Sequence, residues 1–162
     1  MKNHTNYLLL AGCILLTLGT GFSSSVFMGE PSTTYQNLIQ PSFAPPSWIF
    51  GPVWTILYLF MGIGLYRILT FKTNLTNSKY KKPALICFSI QLFLNFLWSI
   101  IFFGLELRGL TLIEILALLI SIIATIYYFN KLDKVATYLY IPYLAWVSFA
   151  SLLNFLIWYL NK

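Results

Sequence analysis

Three stretches of the chain repeat aromatic and amide residues at the spacing of a helix face. Gln91, Asn95, Trp98 and Phe102 stand at i, i+4, i+7 and i+11, positions that share one side of a helix. Tyr143, Trp146, Ala150 and Asn154 keep a matching pattern, and Trp54, Tyr58, Met61 and Leu65 repeat it. Rings on facing helices form walls that stack on a large, flat, apolar molecule, and a few amides then supply its polar contacts. The competing reading is helix packing. Buried Asn and Gln also bond helix to helix for roughly 0.6–2 kcal/mol each, and Gly12, Gly19, Gly62, Gly64, Ala145 and Ser148 permit close approach. Spacing alone leaves both readings open.

Other chemistries have little to work with. The single histidine is His4, and the acids are Glu30, Glu106, Glu114 and Asp133. None of these lies at the centre of an apolar run, where a proton-coupled transporter keeps an ionisable group. Arg67 and Glu114 fall near the ends of such runs and are expected to reach the headgroups. Hydrolytic triads and metal clusters are unsupported, and histidine ligation of haem inside a bundle is excluded by composition; Cys, Met or Tyr ligation has no motif behind it. No cofactor is required by this reading. Cys13 and Cys87 both sit in apolar runs and read as buried thiols rather than a disulfide framework.

The elements that position these residues follow from composition. Of 162 residues, 59% are hydrophobic and only 9% charged, against about 25% charged in ordinary soluble domains. The chain cannot make a wetted surface, and its class is all-α, an integral membrane bundle contacting the lipid bilayer. A hydrocarbon core about 30 Å thick needs roughly 20 apolar residues. Residues 7–28, 47–69, 83–103, 110–129 and 136–160 each meet that need, giving a single five-helix transmembrane domain over residues 1–162. The first run holds Leu10-Ala11-Gly12-Cys13, which looks like a lipoprotein cleavage box. Its apolar stretch continues well past Cys13, however, so an uncleaved first span is expected.

Five spans put the two termini on opposite sides. One side carries Lys2, Arg67, Lys72, Lys79, Lys81, Lys82, Lys131 and Lys134, while the other carries only Arg108 and Lys162. The positive-inside rule then places the N-terminus inside, the C-terminus outside, and loop 29–46 outside as the expected lid. That rule also accounts for the net charge of +6, so nucleic acid is not an expected partner.

The segment PSFAPPSWIFGPVWTILY (Pro41–Tyr58) followed by Met61-Gly62, with QLFLNFLWSIIFF (Gln91–Phe103) and PYLAWVSFASLLNFLIW (Pro142–Trp158), is recognisable. In this order the three segments resemble the translocator protein family. It comprises the tryptophan-rich sensory proteins (TspO) of bacteria and the mitochondrial peripheral-type benzodiazepine receptor. The resemblance runs from about Tyr35 to Trp158. It implies a five-helix bundle, commonly a homodimer, with a cavity beneath the first loop that binds porphyrins such as protoporphyrin IX. It also implies a multi-pass protein of a bacterial cell membrane. Carried over by motif, Trp54 and Trp146 line the cavity, Asn95 and Trp98 form its third-span wall and Ala150 its fifth. Tyr35, Pro45 and Pro46 belong to the cover. Tyr58 and Gln91 join the expected ligand-binding set from their shared faces.

Departures from the family pattern fall in the loop, at Thr34, Gln40 and Phe43, and bear on the lid and on ligand choice. Leu156, Tyr159 and Lys162 match a cholesterol-contact pattern, which equally fits an interfacial anchor. Three functions follow. The first is a porphyrin-binding translocator or sensor. The second is light- and oxygen-dependent porphyrin degradation, with Trp54 and Trp146 taking part in catalysis. The third is a membrane scaffold without a specific ligand.

Overall fold

The computed structural model describes residues 6–162; Lys2 and the lone His4 lie outside the described residues. Helix α1 (Tyr7–Val26) starts where the Asn6 side chain accepts a hydrogen bond from the Leu9 N–H at 3.1 Å, supplying one of the partners a helix start lacks. A short helix, α2 (Pro31–Gln36), opens on a proline, whose fixed φ suits a first turn. A 3₁₀ turn at Ser47–Ile49 leads into α3 (Phe50–Thr70). Helix α4 (Ser78–Ser99) runs on through a π turn at Ile100–Gly104. Then follow α5 (Arg108–Asn130), α6 (Lys134–Leu139) and α7 (Ile141–Leu160). Five helical stretches are long and apolar enough to cross a membrane, and no strand occurs among the described residues.

The expected spans hold, with shifted ends. The third begins a turn earlier than residue 83, because Ser78–Lys82 is helical despite its charges. The fifth starts at Lys134, where the Asp133 side chain caps α6 by accepting from the Ala136 N–H at 2.8 Å. It breaks at Tyr140, just before Pro142 opens α7. The expected lid contains a helix that the sequence reading treated as loop, α2.

Helix α1 packs along α3 and also meets α4, while α4 lies on α5 and α5 on α7. Close approach of α1 and α3 depends on Gly62, since a Cβ there would sit 2.7 Å from the Ile14 Cα. The Thr17 hydroxyl reinforces this seam, donating to the Tyr58 carbonyl at 2.8 Å. At the end of the bundle away from the first loop, Arg67 grips Asp133 with two hydrogen bonds, at 3.0 and 2.8 Å. Lys81 donates to the Leu69 and Phe71 carbonyls at 2.9 and 3.0 Å, closing the C-terminus of α3.

Of the two charges near span ends, one departs from its expected placement. Arg67 stays in the last turn of α3, 39% exposed and paired with Asp133. Glu114 points into the bundle, 8% exposed, and neither carboxyl oxygen has a hydrogen-bond partner among the described residues. It shares its helix face with buried Thr111, Ile115 and Leu118, so the packing face of α5 carries it inward. The bundle therefore does hold an ionisable side chain.

Candidate ligand cavity

A cavity of ≈ 660 Å³ lies beneath the first loop, between the ends of α1, α3 and α4. Trp54 and Tyr58 project into it from α3 and Trp98 from α4. Trp54 is the hub of this wall: its ring centroid lies 5.6 Å from Tyr58, 6.3 Å from Trp98 and 6.2 Å from Tyr143. Trp98 in turn stacks on Phe102 at 5.5 Å. The rings hold one another in place, so the wall stands in position before any ligand arrives.

The first loop roofs the cavity. Tyr35 is 3% exposed, and its hydroxyl donates to the Pro45 carbonyl at 3.0 Å. Burial pushes the Tyr35 phenol up from its ordinary value, which keeps the proton that makes this bond. Pro46 precedes the 3₁₀ turn, and Gln36 reaches Ser47 across the loop at 3.3 Å. From the far end of the chain, Asn161 accepts from the Ile39 N–H and donates to the Ile39 carbonyl, both at 2.9 Å. A strap of backbone is thus bound to the last turn of α7.

The remaining expected site residues fall outside the large cavity. Asn95 lies beneath its floor, where the Tyr58 hydroxyl donates to its Oδ1 and its Nδ2 donates to the Tyr143 hydroxyl at 3.0 Å. Gln91 is fully buried a turn deeper, its amide against the Met61 sulfur at 4.0 Å. These amides tie helices together, as the packing reading requires. Trp146 packs against Phe50, 6.0 Å away ring to ring, and its indole N–H is buried without a partner among the described residues. Ala150 lines a second, small void of ≈ 20 Å³ with Asn154, separated from the large one by Phe50, Trp98 and Phe103. Trp54 thus lines the large cavity, whereas Trp146 packs against Phe50 and is not part of its lining.

The sequence reading missed the wall contributed by α1. Leu18, Gly21, Phe22, Ser24, Ser25 and Met28 all line the cavity. The signal was the run Phe22-Ser23-Ser24-Ser25 beside Gly21, small hydroxyl residues in an otherwise aliphatic span. Chemically the site offers stacking faces, serine and threonine hydroxyls and an indole N–H, with no acid or base in its lining. No group of three His, Cys, Asp or Glu residues among the described residues could hold a metal ion. At the C-terminus the Lys162 ammonium rests over the Tyr159 ring, 4.4 Å from its centroid, the contact expected of an interfacial anchor.

Comparison with known proteins gives this architecture a family context. The model of the TspO/MBR family matches residues 13–160. The chain is similar to the Tryptophan-rich protein TspO of Chlorobaculum tepidum, with 44% identity covering 95% of this chain and 96% of the relative. The protein of the same name from Archaeoglobus fulgidus is also 44% identical, over 96% and 99% of the two chains. The Translocator protein of Homo sapiens is 34% identical over 88% of this chain and 83% of its own.

Proposed function

This chain belongs to the TspO/MBR family, and from that premise we propose that it is a membrane translocator or sensor whose roofed cavity binds a porphyrin. The observation that carries this reading is the ≈ 660 Å³ cavity walled by Trp54, Tyr58 and Trp98. Pockets for ligands of that class run about 300–1,000 Å³ and are mostly apolar with a few polar groups. A tetrapyrrole ring lies flat on the indole of Trp54, with Trp98 and Tyr58 completing the wall. Its polar edge meets the hydroxyls of Ser24, Ser32 and Ser47 near the roof. A lining of rings and hydroxyls suits a site that holds its ligand by stacking and a few hydrogen bonds. The basic residues Arg67, Lys72, Lys79, Lys81, Lys82, Lys131 and Lys134 favour an orientation with the roof outside and the opposite end inside.

Equilibrium titration with protoporphyrin IX, followed through the ligand's own absorbance, tests the site. Aromatic pairs contribute about 0.5–1.5 kcal/mol beyond their buried area. Trp54→Ala and Trp98→Ala are therefore expected to weaken binding roughly tenfold each while the protein still folds. Wild-type affinity in both variants would place the ligand elsewhere.

A further inference from the structure

The roof of the cavity is tied down, and its open side faces another way. Tyr35 is bonded to Pro45, Gln36 to Ser47, and Asn161 to both backbone groups of Ile39. The back wall is buried as well, with Ser24, Tyr58 and Trp98 all below a tenth exposed. Six residues of the lining are exposed: Phe22 and Ser25 on α1, Gly51 and Thr55 on α3, and Ser32 and Trp48 in the roof segment. Four of the six therefore lie on α1 and α3.

Depth identifies what this opening faces. At 1.5 Å per residue, Phe22 lies about 6 Å inside the Val26 end of α1, and Thr55 about 8 Å along α3 from Phe50. Both positions fall within the apolar spans. The rim is apolar, with Phe22 73% and Trp48 71% exposed. Below the slot the two helices close: a Cβ on Gly21 would meet the Tyr58 ring at 2.3 Å, and Thr17 bonds to the Tyr58 carbonyl. Beside Gly51 there is open space, since an added Cβ there would meet nothing within 4 Å. The slot is thus a window bounded by roof and floor, and hydrocarbon fills the region in front of it.

We propose that the cavity is loaded sideways from the bilayer, through the window between α1 and α3, by an amphiphile dissolved in the leaflet at the roofed end. This rests on the reading that the cavity binds a flat apolar molecule, and it names the route and the polar chemistry of that molecule. Ser24, Ser25 and Thr55 spend their hydroxyl protons on the Gly21, Phe22 and Gly51 carbonyls, at 2.8, 2.7 and 2.9 Å. Their oxygens are left as acceptors. The window therefore favours a ligand whose polar edge carries N–H or O–H donors, such as protonated carboxyls.

The test mixes protein in phosphatidylcholine vesicles with protoporphyrin IX preloaded in vesicles of the same lipid, and follows tryptophan quenching in time. Gly51→Leu and Thr55→Trp, which fill the window, are expected to slow association about tenfold or more, while Phe22→Ala, which widens its rim, speeds it; mutants of one site ordinarily span only ~1–3 decades in on-rate. Asn161→Ala loosens the roof and is expected to leave the rate within about twofold of wild type, well inside that span. A faster Asn161→Ala alongside unchanged window variants would put the route through the loop and overturn the proposal. Equal rates in all these proteins would overturn it too. Phe22→Ala removes an exposed side chain, so the test survives a failure of either filled variant to fold. Absence of equilibrium binding in the wild type would instead sink the porphyrin reading itself, whereas binding with window-independent rates sinks only the lateral route.

Discussion

The two ends of the bundle are built on opposite terms. Away from the first loop, α1 and α3 touch backbone to backbone at Gly62 and Ile14, Arg67 holds Asp133, and Lys81 closes the α3 carbonyls. At the roofed end the same helices separate around a ≈ 660 Å³ space. Polar atoms of Trp98, Glu114, Trp146 and Asn154 are buried there without partners among the described residues, against the Tyr140 hydroxyl at the other end. Each unpaired buried group costs stability, of order 1–3 kcal/mol. The difference teaches a division of labour. One end holds the helices together, and the other keeps the space that a ligand can use.

The largest expected effect tests the closed end. Gly62→Leu drives a side chain into the α1 backbone, which cannot give way as a flexible side chain would. Overpacking at such a contact is expected to cost about 3 kcal/mol, read as a lowered Tm in detergent. Gly51→Leu, about three turns earlier on the same helix and at the open end, meets nothing within 4 Å of its Cβ and is expected to leave Tm nearly unchanged. If the two variants lost equal stability, the contrast between the ends would be wrong.

Glu114 gives a smaller effect of opposite sign. Its carboxyl is buried at the hollow end with no partner among the described residues, a burden that an apolar side chain of similar size does not carry. Glu114→Leu is expected to stabilise the protein by about 2 kcal/mol, with Glu114→Gln in between, measured by thermal or denaturant unfolding. A destabilised Glu114→Leu would reveal a hydrogen bond to Glu114 in the folded protein, and the roofed end would then be as well satisfied as the other.

How much of this was legible beforehand follows the same division. The spans were readable because the bilayer sets their length and composition. The ring wall was readable because Trp54, Tyr58 and Trp98 keep helical spacing on their own helices. Periodicity says which residues share a face but not which neighbour each of them packs against. Trp146 accordingly packs on Phe50 and does not line the cavity with Trp54, and Asn95 is spent on Tyr58 and Tyr143. The α1 wall was hidden because serines and glycines in a span read equally as packing or as vacancy. Glu114 was misplaced for a related reason. A charge six residues from a helix end reaches the headgroups or turns inward according to its azimuth, and the sequence does not orient α5 about its own axis.

The smallest effect sharpens the closed end through pH. Burial works against the charged form of Asp133. The hydrogen bonds and positive charge of Arg67, with the N–H groups of Ala136 and Val135, outweigh it and hold the carboxyl below its ordinary value of 3.8. A group whose pKa is depressed on folding contributes stability above its unfolded value and loses it as pH falls through the folded one. The contribution is therefore expected to be intact at neutral pH and to fade below the ordinary aspartate value of about 3.9. Arg67 is 39% exposed and Asp133 12%, so Arg67→Ala is expected to cost only about 1 kcal/mol, as for partly solvated pairs. Because Asp133 still caps α6 through Ala136, Arg67→Ala should shrink the acid-dependent loss of Tm, and Asp133→Asn should abolish this residue's share of it. An acid profile identical in wild type and Asp133→Asn would mean that the grip of Arg67 on Asp133 adds nothing to the closed end. The packing at Gly62 would then be left to hold it.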